Sequence, residues 1–251
     1  MRRERRIFLL LLAAAGSGMV LAGFPEEWKE MEIFQVDQVT VEGVVNLTAG
    51  EVRKHAAVPA YATIWDDPAP VARRVTEHPL VRDATVARRF PSTLTVEVRE
   101  REPVAFVVDP VLEPVDREGV LLPLDPTDLP LDLPILHADS EEQPVEGENE
   151  RAASPGVRVL AQEVARLADV DPTFWAQVSE LALDPNGSVI LTLTEPRVDL
   201  TYEPPLSAER IQMALRVLSD ALDRHGERTP SQLDLRFSDQ VVVRFTQPRG
   251  G

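Results

Sequence analysis

The side chains able to do acid–base, metal or nucleophilic chemistry are few and scattered in this sequence. The four histidines, His55, His78, His137 and His225, lack the spacing of metal ligands, so no metal site is expected. His225 falls near the C-terminal end of an expected helix, where a cationic ring suits the helix dipole. The paired acids Asp66-Asp67 and Glu141-Glu142 are sequence neighbours, better explained as exposed cap or loop residues than as proton-transfer pairs. A Gly-rich phosphate loop ending in Gly-Lys-Ser/Thr is missing, as are the Gly-x-Ser-x-Gly elbow and His-Glu-x-x-His. With no cysteine in 251 residues, disulfides, thiolate metal sites, a Cys nucleophile and a lipid-modified Cys are excluded. The sequons at Asn46 and Asn186 read as cap and turn residues. Neither catalysis nor a cofactor is expected, and binding is what remains.

The charge narrows the kind of binding. There are 26 basic against 42 acidic residues, a formal net charge of −16, which argues against nucleic acid, whose phosphates need basic faces. The exception lies at the start, where MRRERR carries four arginines. Behind it, Ile7 to Phe24 is an uncharged run of 18 residues. As a helix it would reach roughly 27 Å, near the roughly 30 Å of a bilayer's hydrocarbon core. The arginines place residues 1–6 as a cytoplasmic tail and 7–24 as a single transmembrane helix, with Trp28 and Lys29 at the far interface. The rival reading is a signal peptide cleaved near Val20-Leu21-Ala22. In either case most of the chain is exported.

The exported part must position any binding surface, and its pattern is regular. From Ile33, FQVDQVTVEG alternates as a strand, with a phase change at Asp37-Gln38. Thr48 and Glu51 form a capping box before one helix, and Asp67-Pro68 starts a second, with Val71 and Val75 on one side. Val81 to Arg89 and Thr93 to Arg99 are strands joined by Phe90-Pro91-Ser92; Leu94, Val96 and Val98 are expected buried, and Thr93, Thr95, Glu97 and Arg99 wet. The order strand–helix–helix–strand–strand gives a small α+β layer with both helices on one face. Residues 109–150 hold 13 acids, one basic residue and 7 prolines, so long helix is not expected there. A hairpin is expected around Arg117-Glu118-Gly119, and 139–150 is a solvated acidic loop. Val157, Leu160, Val164 and Leu167 mark a helix; Asp184 to Gly187 turns a hairpin; a strand covers Arg197 to Tyr202. The longest helix runs from Ser207 to His225, capped by Ser207 and stopped by Gly226, with Ile211, Leu215, Leu218 and Leu222 inward. LDLRFSDQVVVRF closes the chain as two strands or one bent strand.

The stretch HPLVRDATVARRFPSTLTVEVREREPVA, with FQVDQVTVEGVVNLTAGEV before it and VDREG, LPIL and LDLRFSDQVVVRF after it, resembles the bacterial cell-division FtsQ (DivIB) family. The likeness covers residues 1 to about 246 and includes a POTRA domain at 33–102 of β-α-α-β-β order. A β-rich C-terminal domain with two helices would follow at 103–247. The resemblance implies a non-enzymatic scaffold of the divisome at the septum, single-pass in the inner membrane, that helps control septal wall synthesis. It also implies partners of FtsB/DivIC and FtsL type, with FtsK, FtsW and FtsI types as further ones. The six-residue tail departs from longer ones in relatives, and the acidic loop has no expected counterpart.

Two surfaces follow from the resemblance. By position, the partner-docking region maps onto Arg236, Phe237, Val241, Val242, Val243, Arg244 and Phe245, with Gln240 to Thr246 as a natural edge strand. The other reading of these residues is that they are simply core. The POTRA surface offers Arg82, Arg88, Arg89 and Arg99, read either as a solvated strand face or as a basic group for anionic lipid or an acidic partner. A POTRA-type chaperone or translocation module that binds unfolded or membrane proteins by strand addition is the alternative function.

Overall fold

The computed structural model describes residues 31–108, 111–129, 132–137, 152–225 and 229–245. The tail, the apolar run 7–24, the acidic loop 139–150, Gly226 and Thr246 lie outside them. No helix among the described residues is long and apolar enough to cross a membrane. The chain divides into two compact units, Met1–Glu100 and Arg101–Gly251.

The first unit runs β1 (Gln38–Glu42), α1 (Ala49–Ala56), α2 (Ala69–Thr76), β2 (Val81–Arg89) and β3 (Thr93–Glu100). The sheet order is β1-β3-β2, with β1 parallel to β3 and β2 antiparallel to it. Thr48 and Glu51 cap α1 reciprocally, through Glu51 N–H to Thr48 Oγ1 at 3.2 Å and Thr48 N–H to Glu51 Oε2 at 2.8 Å. Leu94, Val96 and Val98 on β3 are buried with Val52, Ala56, Val71 and Val75 of the helices. Each of these valines and the leucine contributes about 1.5–3 kcal/mol on burial. β1 must end at Gly43, because its φ of +84° is left-handed and a Cβ there would meet the Val98 carbonyl oxygen at 2.2 Å.

Three details depart from the expectations. Residues 32–34 form a 3-10 turn, not strand, and only Gln35 bridges, to Thr63. Thr95, expected wet, is buried, because Thr40 on the parallel strand donates its hydroxyl to Thr95 Oγ1 at 2.9 Å. The second helix begins one residue late, with Pro68 as its cap and Asp67 accepting from Ala69 N–H at 3.0 Å.

The second unit is one eight-stranded sheet with the order β11-β10-β9-β8-β7-β6-β4-β5. Its strands are β4 (Pro103–Val108), β5 (Leu112–Asp116), β6 (Ile135–His137), β7 (Val178–Leu183), β8 (Val189–Leu193), β9 (Asp199–Tyr202), β10 (Pro230–Asp234) and β11 (Val242–Phe245). α3 (Pro155–Val170), the four-residue α4 (Pro172–Trp175) and α5 (Ala208–His225) supply the helical layer, one short helix more than the two expected. Val157, Leu160, Val164 and Leu167 of α3 are all buried. On α5 the buried line is Ile211, Ala214, Leu218 and Ala221, with Leu215 and Leu222 packed partly against the core. The strand expected from Arg197 starts two residues later.

Buried polar groups tie these layers. Glu163, buried on α3, accepts Arg166 Nη2 at 2.7 Å and the Leu206 N–H at 3.0 Å, fixing the chain just ahead of α5. Burial pushes the neighbouring Tyr202 hydroxyl well above its ordinary pKa, with the Glu163 carboxylate adding to the effect. Asp116 builds the turn after β5: its Oδ1 accepts from Glu118 N–H at 2.9 Å and Val120 N–H at 2.8 Å, while Arg101 bonds Oδ2 at 2.5 Å.

In the first unit the matching clamp is Glu100. Its carboxylate accepts three successive backbone N–H groups, those of Val45 (2.8 Å), Asn46 (2.8 Å) and Leu47 (2.9 Å). Partial burial pushes this carboxyl up, but the amides outweigh burial and hold it below the usual carboxylate range. The folded state therefore binds fewer protons than the unfolded chain. The stabilisation is complete above the usual carboxylate range and is lost as pH falls through the lowered value. Glu100→Gln is expected to cost about 1–3 kcal/mol at neutral pH. In urea unfolding the gap between parent and variant should close in acid. Equal stability at neutral pH would show that the clamp contributes nothing.

Candidate partner-binding edge

The chain's last two strands form an antiparallel hairpin, with Leu233 opposite Val243 and Asp234 opposite Val242. β10 also runs parallel to β9, so the hairpin continues the main sheet. Among the described residues β11 pairs with β10 alone and ends the sheet. In an antiparallel pair, alternate residues turn their N–H and C=O groups away from the partner strand. One row of β11 backbone groups thus faces outward.

The other end of the sheet is closed off differently. β5 is covered by its own returning chain: Val115 bridges Leu121, Asp116 N–H bonds the Val120 carbonyl at 3.0 Å, and Leu122 N–H bonds that of Pro114 at 2.8 Å. Of the two ends, β11 is the one left open by the described chain.

The seven residues expected at the docking region separate into roles. Val241 and Val243 pack partly against the core, which agrees with the core reading for that face. Val242 and Phe245 are half-buried, and Arg244 is exposed, its Nη1 bonding Gln232 Oε1 at 3.2 Å. Arg236 and Phe237 are not on the strand. They belong to the turn 235–241, which also holds Gln240 and Val241, so the strand is shorter than expected. Phe237 is 45 % exposed, in the segment that leads into β11. Arg236 is turned back on the buried Asp234, with Nε to Oδ1 at 2.9 Å and Nη2 to Oδ2 at 2.6 Å. These bonds hold the Asp234 carboxyl below its ordinary range. Arg236 thus shapes the turn rather than standing free.

Two residues that sequence reasoning passed over set this geometry. Asp234 anchors Arg236, and Arg210, in the first turn of α5, anchors the turn itself. Arg210 Nη2 donates to the carbonyl oxygens of Leu235 and of Phe237, the latter at 2.6 Å, and Nη1 to that of Ser238 at 3.3 Å. One guanidinium fork therefore fixes three carbonyls of the segment that joins β10 to β11. Backbone carbonyls leave no mark in a sequence, so no motif pointed to Arg210.

The four POTRA arginines do not gather. Arg88, opposite Leu94, lies on the helix-bearing face and donates to the Asp66 carbonyl at 2.9 Å. Arg89, opposite Thr93 beside the hairpin turn, and Arg99, opposite Asp83 at the far end, share the other face. Arg82 sits at the irregularity between Val81 and Asp83. The face bearing Arg99 is mixed in charge, with Glu42, Asp83 and Glu97 around one shallow concavity. Two histidines that looked scattered do meet: the rings of His55 and His78 stand 4.7 Å apart, edge to face, and Leu80 N–H bonds His78 Nδ1 at 3.2 Å. Desolvation, aided by His55, lowers the pKa of His78, so its ring stays a neutral acceptor. Among the described residues no group of three metal-ligating side chains forms.

Replacing Arg210 by Met should free the turn while leaving α5 folded. Loss of charge-assisted bonds worth about 1.5–3 kcal/mol predicts backbone amide exchange at 235–238 that is faster by roughly tenfold or more. Unchanged exchange there would remove Arg210 from this role.

Comparison with known proteins agrees with this architecture over nearly its whole length. Residues 34–101 match the POTRA domain, FtsQ-type, and residues 105–245 match the family Cell division protein FtsQ/DivIB, C-terminal. A cell division protein FtsQ of Rhodothermus marinus is 31 % identical over 253 aligned positions, covering 96 % of this chain and 88 % of that one. The FtsQ of an Anaeromyxobacter species is 32 % identical over 247, covering 96 % and 81 %. A DivIB of Geobacillus kaustophilus is 31 % identical over 104 positions, 40 % of each chain. With a POTRA unit, a β-rich unit ending in an open edge, and matches along both, the chain belongs to the FtsQ/DivIB family of cell division proteins.

Proposed function

We propose that this family member acts as a non-catalytic scaffold of the septal machinery, and that β11 is where a partner adds a strand. The observation that carries the reading is the asymmetry of the eight-stranded sheet among the described residues, with β5 covered by its own returning chain and β11 paired on one side only. An added strand would gain ladder hydrogen bonds along β11, with Phe237 and Val242 beside it as apolar contacts. A partner of FtsB/DivIC type, a small single-pass coiled-coil protein, suits such an edge, and an FtsL-type protein would come with it. Proteins of FtsK, FtsW and FtsI type are further candidates. A single span at residues 7–24, with the bulk of the chain outside the inner membrane, would confine partners to one surface and raise their effective concentration. Control of septal wall synthesis would then follow from which partners are held together.

Adjacent positions on an edge strand separate the two roles of its backbone. Of Val242 and Val243, one N–H faces β10 and its neighbour faces outward. Proline at the outward position should abolish co-purification of the partner from detergent-solubilised full-length chain while thermal unfolding stays near the parent's. Proline at the inward position should loosen the hairpin itself. If both variants keep the partner, strand addition at β11 is wrong.

A further inference from the structure

A second surface lies at the end of the POTRA unit where the chain arrives. Three segments converge there. Residues 34–36 run against 62–64, through Val36 N–H to the Ala62 carbonyl at 2.8 Å and Ile64 N–H to that of Phe34 at 2.8 Å. The β2–β3 turn joins them, with Asp37 N–H bonding the Ser92 carbonyl at 3.1 Å. A row of aromatic rings crosses the three segments: Phe34 and Trp65 are 5.4 Å apart, and Trp65 and Phe90 5.1 Å.

The rim of this end is apolar where water would be expected. Phe90 is 59 % exposed, Ile33 59 %, Met31 50 % and Tyr61 81 %. Four of the chain's twelve exposed large hydrophobic side chains among the described residues thus sit at one end of one small unit. Such a concentration marks a contact surface rather than scattered exposure.

What covers it follows from the chain. Only residues 25–30 separate Met31 from the apolar run that ends at Phe24. At about 3.3–3.6 Å per residue, that connection reaches no further than roughly 25 Å. A unit tethered so closely keeps this end near the bilayer, and aromatic side chains with amphipathic neighbours are the groups that settle at the headgroup level.

Charge does not provide the attraction. Arg88 and Arg89 are outnumbered there by Glu32, Asp37, Asp66 and Asp67. Three of those acids serve local structure: Asp37 accepts the Ser92 hydroxyl, Asp66 the Thr63 N–H and Asp67 the Ala69 N–H. We propose that the rim of Met31, Ile33, Tyr61 and Phe90 seats the POTRA unit in the lipid interface through apolar and aromatic contact, largely independent of lipid charge. This rests on residues 7–24 being an uncleaved membrane span.

The chain has three tryptophans, so each can be isolated. The full chain is reconstituted into phosphatidylcholine vesicles with lipids brominated near the headgroup, keeping either Trp65 or Trp28 alone and replacing the others by Phe. Trp65 should lose most of its emission to brominated lipid. The loss should persist in high salt and change little when anionic lipid is added. Ile33→Ser with Phe90→Ser should restore the emission, since both side chains are exposed and their loss leaves the core intact. Quenching of Trp28 without quenching of Trp65 would overturn the docking while leaving the span standing. Quenching of neither would overturn both. Quenching of Trp65 that survives the double substitution, or that vanishes in high salt, would overturn the apolar rim as its cause.

Discussion

Among the described residues β11 pairs on one side only, with β10, and the C-terminal unit is organised behind that fact. A terminal strand in a sheet keeps one row of N–H and C=O groups facing outward, which is both a liability and a docking template. Proteins that retain such an edge must hold it still, because a fraying strand offers no fixed register. Here α5 lies between β9 and β10 in sequence and brings them together as a parallel pair, with Leu200 opposite Leu233 in the core. From that helix Arg210 reaches the turn that feeds β11, and Asp234 holds Arg236 beneath it. Core packing, ion pair and turn thus converge on four residues of strand.

The same logic explains why the buried polar groups lie where they do. Glu163, Asp116 and Glu100 each bond backbone N–H groups that lie outside the named helices and strands. A carboxylate that accepts several amides fixes a loop in one conformation, and leaving those amides unpaired would cost more than the bonds return in water. These loops therefore owe their geometry to a few acids.

Much of this fold was legible because its signals are local. The Thr48–Glu51 box, the Asp184–Gly187 turn and the alternation of β2 and β3 each depend on residues within a few positions of one another. What escaped was non-local. Thr95 looked like a wet strand residue until Thr40, on a strand 55 positions away, took its hydroxyl. His55 and His78 looked scattered until α1 met the start of β2. The residues expected at the docking region fall partly on the last strand and partly before it: Arg236 and Phe237 belong to the turn, and Arg210, which bonds that turn, lies in a helix whose sequence looks ordinary. The four POTRA arginines looked like one group only because strand residues close in sequence were counted without their faces.

The central claim is that a partner strand pairs along β11, and the absence of cysteine from the chain makes a direct test simple. Single cysteines placed at positions 241 to 245 of the full chain would be oxidised against a cysteine scan of a co-expressed FtsB/DivIC-type partner in membranes. Strand addition predicts disulfides between matched positions that move in step along both chains, with alternate residues favoured on each face. Cross-links that fall instead on α5 or on the POTRA helices, with none in register along β11, would contradict it.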